Sequence, residues 1–252
     1  MTRSRARAVA FAVACAVHGG TSPAAATAST HVWAPSTDVQ AFNVWHVTTD
    51  VYLPVEKDAG GGRVPPVTNV GLTVGLLPWS KLNLEIGLDA KAGLGALDDY
   101  PIYGNLKLGI PEGALGKGSP ACALGIFDIG TKAGFTDDNV AYLQVAETLA
   151  FGGVSWGRVS LGYFSGNEDL LLDAQGASDN HGILAAWERV CPEVSERLWV
   201  CVEYVGTESA YGTLNVGASW KCSGNVALLV GYDWFNNDEL VDTATVQVDI
   251  DL

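Results

Sequence analysis

Apolar residues occupy every second position over much of the chain from residue 43 onward, with small or polar residues between them. The pattern is clearest in NVGLTVGL at 69–76, NLEIGL at 83–88 and TATVQVDIDL at 243–252. A period of two is typical of β-strands whose two faces meet different surroundings. The chain is therefore predicted to be built from two-faced strands.

Turn-forming residues divide this region into twelve predicted strands. Most are about 9–11 residues long, which is the length a tilted strand needs to cross a bilayer, whereas strands of soluble proteins are typically about 5–6 residues. The predicted fold is all-β: a single antiparallel up-and-down transmembrane β-barrel of about 12 strands. The predicted spans are 43–53, 67–77, 82–91, 102–110, 121–129, 139–149, 157–165, 182–190, 197–205, 211–220, 225–234 and 243–252.

The connections alternate in length, which gives the predicted barrel an orientation. Links after even-numbered strands are mostly compact, with 111–120 as the exception. Links after odd-numbered strands are generally longer or richer in Asp and Gly, although 206–210 is short. Outer-membrane barrels have short periplasmic turns and longer outer loops. Aromatic residues cluster near both ends of the strands, as in the two interfacial girdles of such barrels.

The first residues are predicted to be removed. Arg3, Arg5 and Arg7 precede an apolar run from residue 8 to 17, and small residues then lead to the A-x-A site at 26–28. This order is typical of a secretory signal peptide, predicted over 1–28. A cut before Cys15, as in a lipoprotein, is the rival interpretation. Residues 29–42 are expected to form an N-terminal periplasmic leader and 43–252 the barrel.

The polar face of the strands is expected to line the lumen, since the apolar face has to meet lipid. This inner face is mainly acidic, so an open lumen would favour cations. Paired charges in a narrow, closed interior are the alternative, and the sequence leaves open and plugged lumens equally possible. The candidate lumen-lining residues are His46, Asp50, Glu85, Asp89, Lys107, Arg158, Glu188, Glu203, Asp233 and Asp249.

Composition excludes some functions and leaves little evidence for others. The net charge of −14 argues against a nucleic-acid partner, because no basic patch exists to neutralise phosphates. His181, with Ser178 and Asp179 nearby, lacks the surroundings of a barrel phospholipase motif, so no catalytic residue is predicted and the protein is not expected to be an enzyme. The acidic loops could bind Ca²⁺ or Mg²⁺, but solvated charge is favoured; no metal site and no cofactor are predicted.

Four cysteines follow the predicted signal peptide, at spacings that match no zinc or haem motif. They are Cys122, Cys191, Cys201 and Cys222. Cys191 and Cys201 flank one predicted turn and could form a disulfide in an oxidising compartment. Unbridged small residues on strands are the equal alternative.

The chain resembles the bacterial outer-membrane β-barrel superfamily, and the resemblance covers nearly all of the mature part. The ending VQVDIDL at 246–252 is similar to the terminal strand that barrel assembly machinery recognises, although the last residue is Leu252 where Phe or Trp is usual. A weaker similarity, in 119–130, is to uncharacterised porin-like barrels and exopolysaccharide-associated barrel proteins.

Three hypotheses follow from these features. The first is a porin-like channel or transporter in the bacterial outer membrane, passing small cationic or neutral solutes with cation preference. Its partners would be outer-membrane lipid and, during biogenesis, the barrel assembly machinery. The second is a non-conducting structural or export-associated barrel that works with a partner. The third is a soluble periplasmic β-sandwich.

Overall fold

The computed structural model describes residues 29–58 and 60–252. The signal peptide predicted over 1–28 therefore lies outside the described residues. Within the described residues, no helix is long and apolar enough to cross a bilayer.

In the part of the chain that the structure describes, twelve antiparallel strands form a closed barrel in which each strand pairs with its neighbours in sequence and β1 pairs with β12. The predicted fold is confirmed, and the strand bounds differ from prediction by a few residues. A 3₁₀ helix at Gly95–Asp99 lies between β3 and β4. The strands are β1 Trp45–Pro54, β2 Val67–Gly75, β3 Asn83–Ala92, β4 Ile102–Ile110, β5 Ala121–Gly130, β6 Val140–Phe151, β7 Val154–Ser165, β8 His181–Val190, β9 Leu198–Val205, β10 Thr213–Lys221, β11 Val226–Phe235 and β12 Thr243–Asp251.

The two faces of the strands separate as the alternation predicts, with the apolar set outside. Leu88 is 56% exposed and Leu161 is 58% exposed, whereas polar neighbours such as Ser160 are buried inside. A soluble protein of this size rarely leaves so many large apolar side chains exposed. The outer surface of the barrel is thus apolar along the strands, and the inner surface is polar.

The links 76–82, 111–120, 152–153, 191–197 and 222–225 lie at one end of the barrel, here called the short-turn end. The other end, called the long-loop end, carries the remaining links, of which 166–180 is the longest. Trp79 and Trp156 are exposed at the short-turn end, and Tyr163 and Tyr204 are exposed at the long-loop end. Trp199, by contrast, is buried inside the barrel, because it lies on the same inner face of β9 as Cys201 and Glu203.

One bulge interrupts the ladder between β4 and β5. Asn105 on β4 faces both Phe127 and Asp128 on β5, and Asp128 has a φ of 53°. A bulge turns an extra side chain towards one face, and here it turns the buried Asp128 inwards. The bulge makes the alternation of β5 irregular.

Candidate functional site

The lumen of the barrel contains the chain's own N-terminal part. Residues 29–44, here called the inner segment, precede β1 and lie inside the barrel. There the chain turns back on itself through a bridge between Thr30 and Pro35. Phe42 pairs with Gly75 of β2 at the short-turn end. Residues 29–42 were expected to form an N-terminal periplasmic leader; in the structure this part of the chain packs against the inner wall of the barrel.

Glu203 on β9 binds the apex of the inner segment. Its carboxylate accepts hydrogen bonds from the backbone N–H of Trp33 at 2.5 Å and of Ala34 at 3.2 Å. The Nδ2 of Asn215 donates a third hydrogen bond at 2.7 Å. Glu203 is only 1% exposed, and hydrogen bonds to a buried carboxylate are among the stronger ones in proteins.

A second contact lies on β3 and β4, where Glu85 and Lys107 face each other at 3.2 Å. The Nζ of Lys107 donates to the carbonyl oxygens of Ser29 at 2.6 Å and Asp38 at 2.8 Å. Glu85 accepts from the Oγ of Ser29 at 3.0 Å and from the backbone N–H of Gln40 at 2.7 Å. This ion pair therefore holds both limbs of the turned segment.

Arg158 on β7 forms the third contact. Its guanidinium lies 2.8 Å from Oδ1 of Asp38, donates to the hydroxyl of Thr37, and lies 3.5 Å from Glu188 on β8. His31 sits between two acidic side chains, with Nε2 3.6 Å from Glu188 and Nδ1 3.7 Å from Glu203. These two distances exceed hydrogen-bond length, so the His31 contacts are electrostatic.

Two inner-wall glycines allow the segment to approach. A Cβ added to Gly217 of β10 would lie 2.5 Å from Cγ2 of Val32, and one added to Gly75 would collide with the carbonyl oxygens of Gln40 and Ala41. Real Cβ atoms do not come so close to other atoms, so any other residue at these positions would displace the segment or the strand.

The other candidate residues form networks on the wall itself. Asp50 accepts from Thr48 at 2.7 Å and from Asn69 at 3.0 Å. Asn69 also donates to Asp89 at 3.3 Å, so the two carboxylates share one amide.

Two further networks involve β12. His46 contacts Asp249 at 3.2 Å and Asp251 at 2.8 Å, and an imidazolium, with a proton on each ring nitrogen, satisfies both. Asp233 accepts from Thr243 at 2.7 Å.

The burial of these side chains shows that the inner segment fills the lumen. Asp233 is 0% exposed and Lys107 is 4% exposed, whereas a water-filled pore would leave both in contact with solvent. Eight of the ten candidates are buried and the other two, Asp89 and Arg158, are partly exposed. The buried candidates are His46, Asp50, Glu85, Lys107, Glu188, Glu203, Asp233 and Asp249.

Several inner-wall groups have no hydrogen-bond partner when the segment is in place. Both amide atoms of Gln144 and the hydroxyl of Ser160 are buried without one, as is one carboxylate oxygen of Asp233. An unsatisfied buried polar group costs about 1–3 kcal/mol. These are groups that water molecules in the lumen would satisfy.

The long-loop end is closed as well. Leu171, from the longest loop, is 2% exposed and packs with Val140 and Phe164 inside the mouth of the barrel. Tyr211 crosses the mouth and donates to Asp128 at 2.5 Å and to Asp138 at 3.2 Å. Leu170 packs against the same cluster, so the two leucines together narrow the mouth.

Asp138 lies in the loop before β6. Burial raises the pKa of its carboxyl from the ordinary 3.8 to about 6, and the nearby charge of Asp128 adds to the rise, against an opposing hydrogen bond from Tyr211. The closed mouth therefore contains a carboxyl that takes up a proton in mildly acidic solution.

Other residues singled out in the sequence lie elsewhere. His181 is exposed, and its Nδ1 is 3.2 Å from Asn180; the hydroxyl of Ser178 contacts the same Asn180 at 3.4 Å. No disulfide joins Cys191 to Cys201 in the described residues. Cys201 faces the lumen, packed with Val32 and 2% exposed.

Sequence reasoning missed the inner segment because residues 29–42 show no periodicity. The signal that could have revealed it is on the wall: glycines recur at inner positions of β2, β4, β10 and β11, where a lumen open to water has no need for small residues.

No protein-family model matches the sequence, and no curated protein matches it. Several solved structures are similar in overall shape. An outer membrane channel from Pseudomonas putida F1 is 10% identical with a TM-score of 0.47, over 85% of this chain and 97% of that one. The NanC porin is 6% identical with a TM-score of 0.46, over 81% and 98%. A Rhodopseudomonas blastica porin mutant is 12% identical with a TM-score of 0.40; the match covers 74% of this chain but only 55% of that porin.

Proposed function

We propose that this protein is an outer-membrane barrel that passes small solutes, with cation preference, once the inner segment leaves the lumen. The observation that carries the proposal is a closed barrel with apolar side chains exposed outside and charged side chains inside. Such a surface is stable against lipid, and such a wall is stable against water. The state described here is the closed one.

The proposed cation preference is based on the charge of the wall residues that the inner segment covers. Acidic residues outnumber basic ones among the ten candidates, with seven carboxylates against Lys107 and Arg158 in addition to His46. Removing the segment would expose this acidic wall, and an acidic pore concentrates cations.

Two partners and an export route belong to the same proposal. Outer-membrane lipid would surround the exposed apolar side chains. The barrel assembly machinery would recognise β12, which carries the alternating terminal sequence and closes the barrel against β1. The signal peptide over 1–28 would direct the chain to the periplasm and be removed there.

The second candidate is a non-conducting barrel that works with a partner. The filled lumen favours it, because Glu203 and Asp233 are shielded from water. The two candidates differ in one respect: a permanently filled barrel does not conduct under any treatment, whereas the proposed channel conducts when emptied.

Location is tested first, by membrane fractionation and by gel mobility with and without heating. We expect the protein in the outer-membrane fraction, with a band that shifts on heating as the barrel unfolds. A soluble periplasmic protein, or a band that does not shift, would contradict the membrane proposal.

Conduction is tested with a variant that carries a short protease site between Phe42 and Asn43, here called the cleavable variant. The full chain folds with the segment in place and is then cut, so the segment can be washed out. In planar bilayers with a salt gradient, we expect little current before cutting and a cation-selective reversal potential afterwards. The uncut variant is the matched control. No current from a cut barrel whose lumen has become accessible at Cys201 would refute the channel and leave the non-conducting barrel.

A further inference from the structure

The hydrogen bonds between the wall and the inner segment go mainly to the segment's backbone. Glu203 accepts from the N–H groups of Trp33 and Ala34. The amide of Gln247 on β12 donates to the carbonyl of Val32 at 2.6 Å. Both contacts would form with other side chains at these positions.

The opposite wall binds backbone in the same manner. Lys107 donates to the carbonyl groups of Ser29 and Asp38, and Glu85 accepts from the N–H of Gln40. Wall side chains on β3, β4, β9 and β12 thus act as donors and acceptors for peptide groups.

The wall also provides the space that a polypeptide backbone needs. The carbonyl oxygens of Gln40 and Ala41 occupy the position where Gly75 lacks a Cβ, whereas a side-chain methyl of Val39 occupies the equivalent position at Gly109. The wall is therefore shaped to a main chain at Gly75 and to a branched side chain at Gly109.

One side chain of the segment has a dedicated site. The ring of Trp33 packs edge-on against Tyr52 at 5.0 Å and Phe235 at 5.8 Å between ring centroids. Its neighbours Val32 and Ala34 are small or medium-sized, buried and packed into two apolar clusters. Side-chain selectivity is therefore concentrated at three consecutive residues.

We infer that the barrel interior is a binding site for an extended polypeptide, of which the inner segment is the resident occupant. The ligand class is a peptide with an aromatic residue between two small apolar residues, bound chiefly through its backbone. A free peptide of this kind would occupy the lumen in place of the segment. The inference goes beyond solute passage and does not depend on conduction.

The test uses the cleavable variant, folded as a full chain and then cut. A fluorescent synthetic peptide with the sequence of residues 29–42 is added in excess, and the barrel is recovered by gel filtration in detergent. We expect the labelled peptide to co-migrate with the cut barrel and to protect Cys201 from a water-soluble maleimide. The uncut variant is the matched control and should take up no peptide.

Two altered peptides separate backbone binding from side-chain binding. A peptide N-methylated at Trp33 and Ala34 lacks the two N–H groups that Glu203 accepts, and its affinity should fall by about a hundredfold or more. A peptide with alanine in place of Gln40 loses one side-chain contact, to the half-exposed Asp251, and should lose about tenfold or less.

The inference is overturned if a cut barrel with an accessible Cys201 takes up no peptide of sequence 29–42. It is equally overturned if the N-methylated peptide binds as tightly as the unmodified one. Peptide binding without any current would refute solute passage alone, so the two proposals fail separately.

Discussion

Lys107→Met should release the inner segment without altering the outside of the barrel. The substitution keeps the length of the side chain but removes the ammonium group that donates to the carbonyl oxygens of Ser29 and Asp38. It also leaves Glu85 without its cation at 3.2 Å. All three losses apply to the seated segment, because Glu85 and the carbonyl groups are hydrated once the segment leaves.

The magnitude follows from the two lost hydrogen bonds. A hydrogen bond to a charged group contributes about 1.5–3 kcal/mol, so two contribute at least about 3 kcal/mol. Each 1.4 kcal/mol is tenfold in an equilibrium constant. The fraction of molecules with the segment unseated should therefore rise by a factor of about 100 or more.

The natural thiol of Cys201 reports this fraction. It is 2% exposed and packs with Val32, and β9, which carries it, lies far around the barrel from β4, which carries Lys107. When reclosing is fast, the labelling rate is proportional to the open fraction. The assay measures maleimide labelling of folded protein in which the other mature-chain cysteines, Cys122, Cys191 and Cys222, are replaced by serine.

Lys117→Met is the matched control, because Lys117 is exposed in the turn 111–120. Its labelling rate should equal that of the parent protein. Equal rates for Lys107→Met and Lys117→Met would refute the account of how the segment is held. Rapid labelling of Cys201 in the parent would refute the filled lumen itself.

Two further predictions concern packing and pH. Gly217→Ala places a Cβ about 2.5 Å from Val32 and should raise the rate of Cys201 labelling. Gly224→Ala is the control and should not change that rate, because the space around its Cβ is open. Equal effects of the two substitutions would contradict the close fit at Gly217. Because the pKa of Asp138 is raised to about 6 in the folded protein, its contribution to stability is fully present below pH 3.8 and is lost as the pH rises through about 6. Asp138→Asn should therefore flatten the pH dependence of the heat-induced gel shift between pH 4 and 7, and an unchanged profile would show that Asp138 does not contribute.

The strands could be predicted from the sequence because their signal is local. Alternation such as NVGLTVGL at 69–76 identifies a strand and its two faces without knowledge of its partners. Closure by β1 and β12 follows from an even number of such strands. The bulge at Asp128 is harder to predict from the sequence, because its φ of 53° results from the pairing with β4 and not from a local motif.

The inner segment could not be predicted because every contact that places it is long-range. The bond from Glu203 to Trp33 joins residues 170 positions apart, and nothing in residues 29–42 repeats. The polar inner wall was visible in the sequence, but its polarity suits a pore filled with water as well as one filled with peptide. The residues that distinguish a lumen filled with peptide are Gly75 and Gly217. Their lack of a side chain can be explained only once the inner segment is seen to pack against them.

The contact between Val32 and Gln247 spans 215 residues, and it has a consequence for the order of assembly. The site for the first described residues is completed only by the last strand, so the segment cannot take its final place before the barrel nears closure. Folds dominated by such distant pairings form slowly. We therefore expect the newly formed barrel to pass through a stage in which its lumen is filled with water. It reaches its final structure when the inner segment enters the lumen.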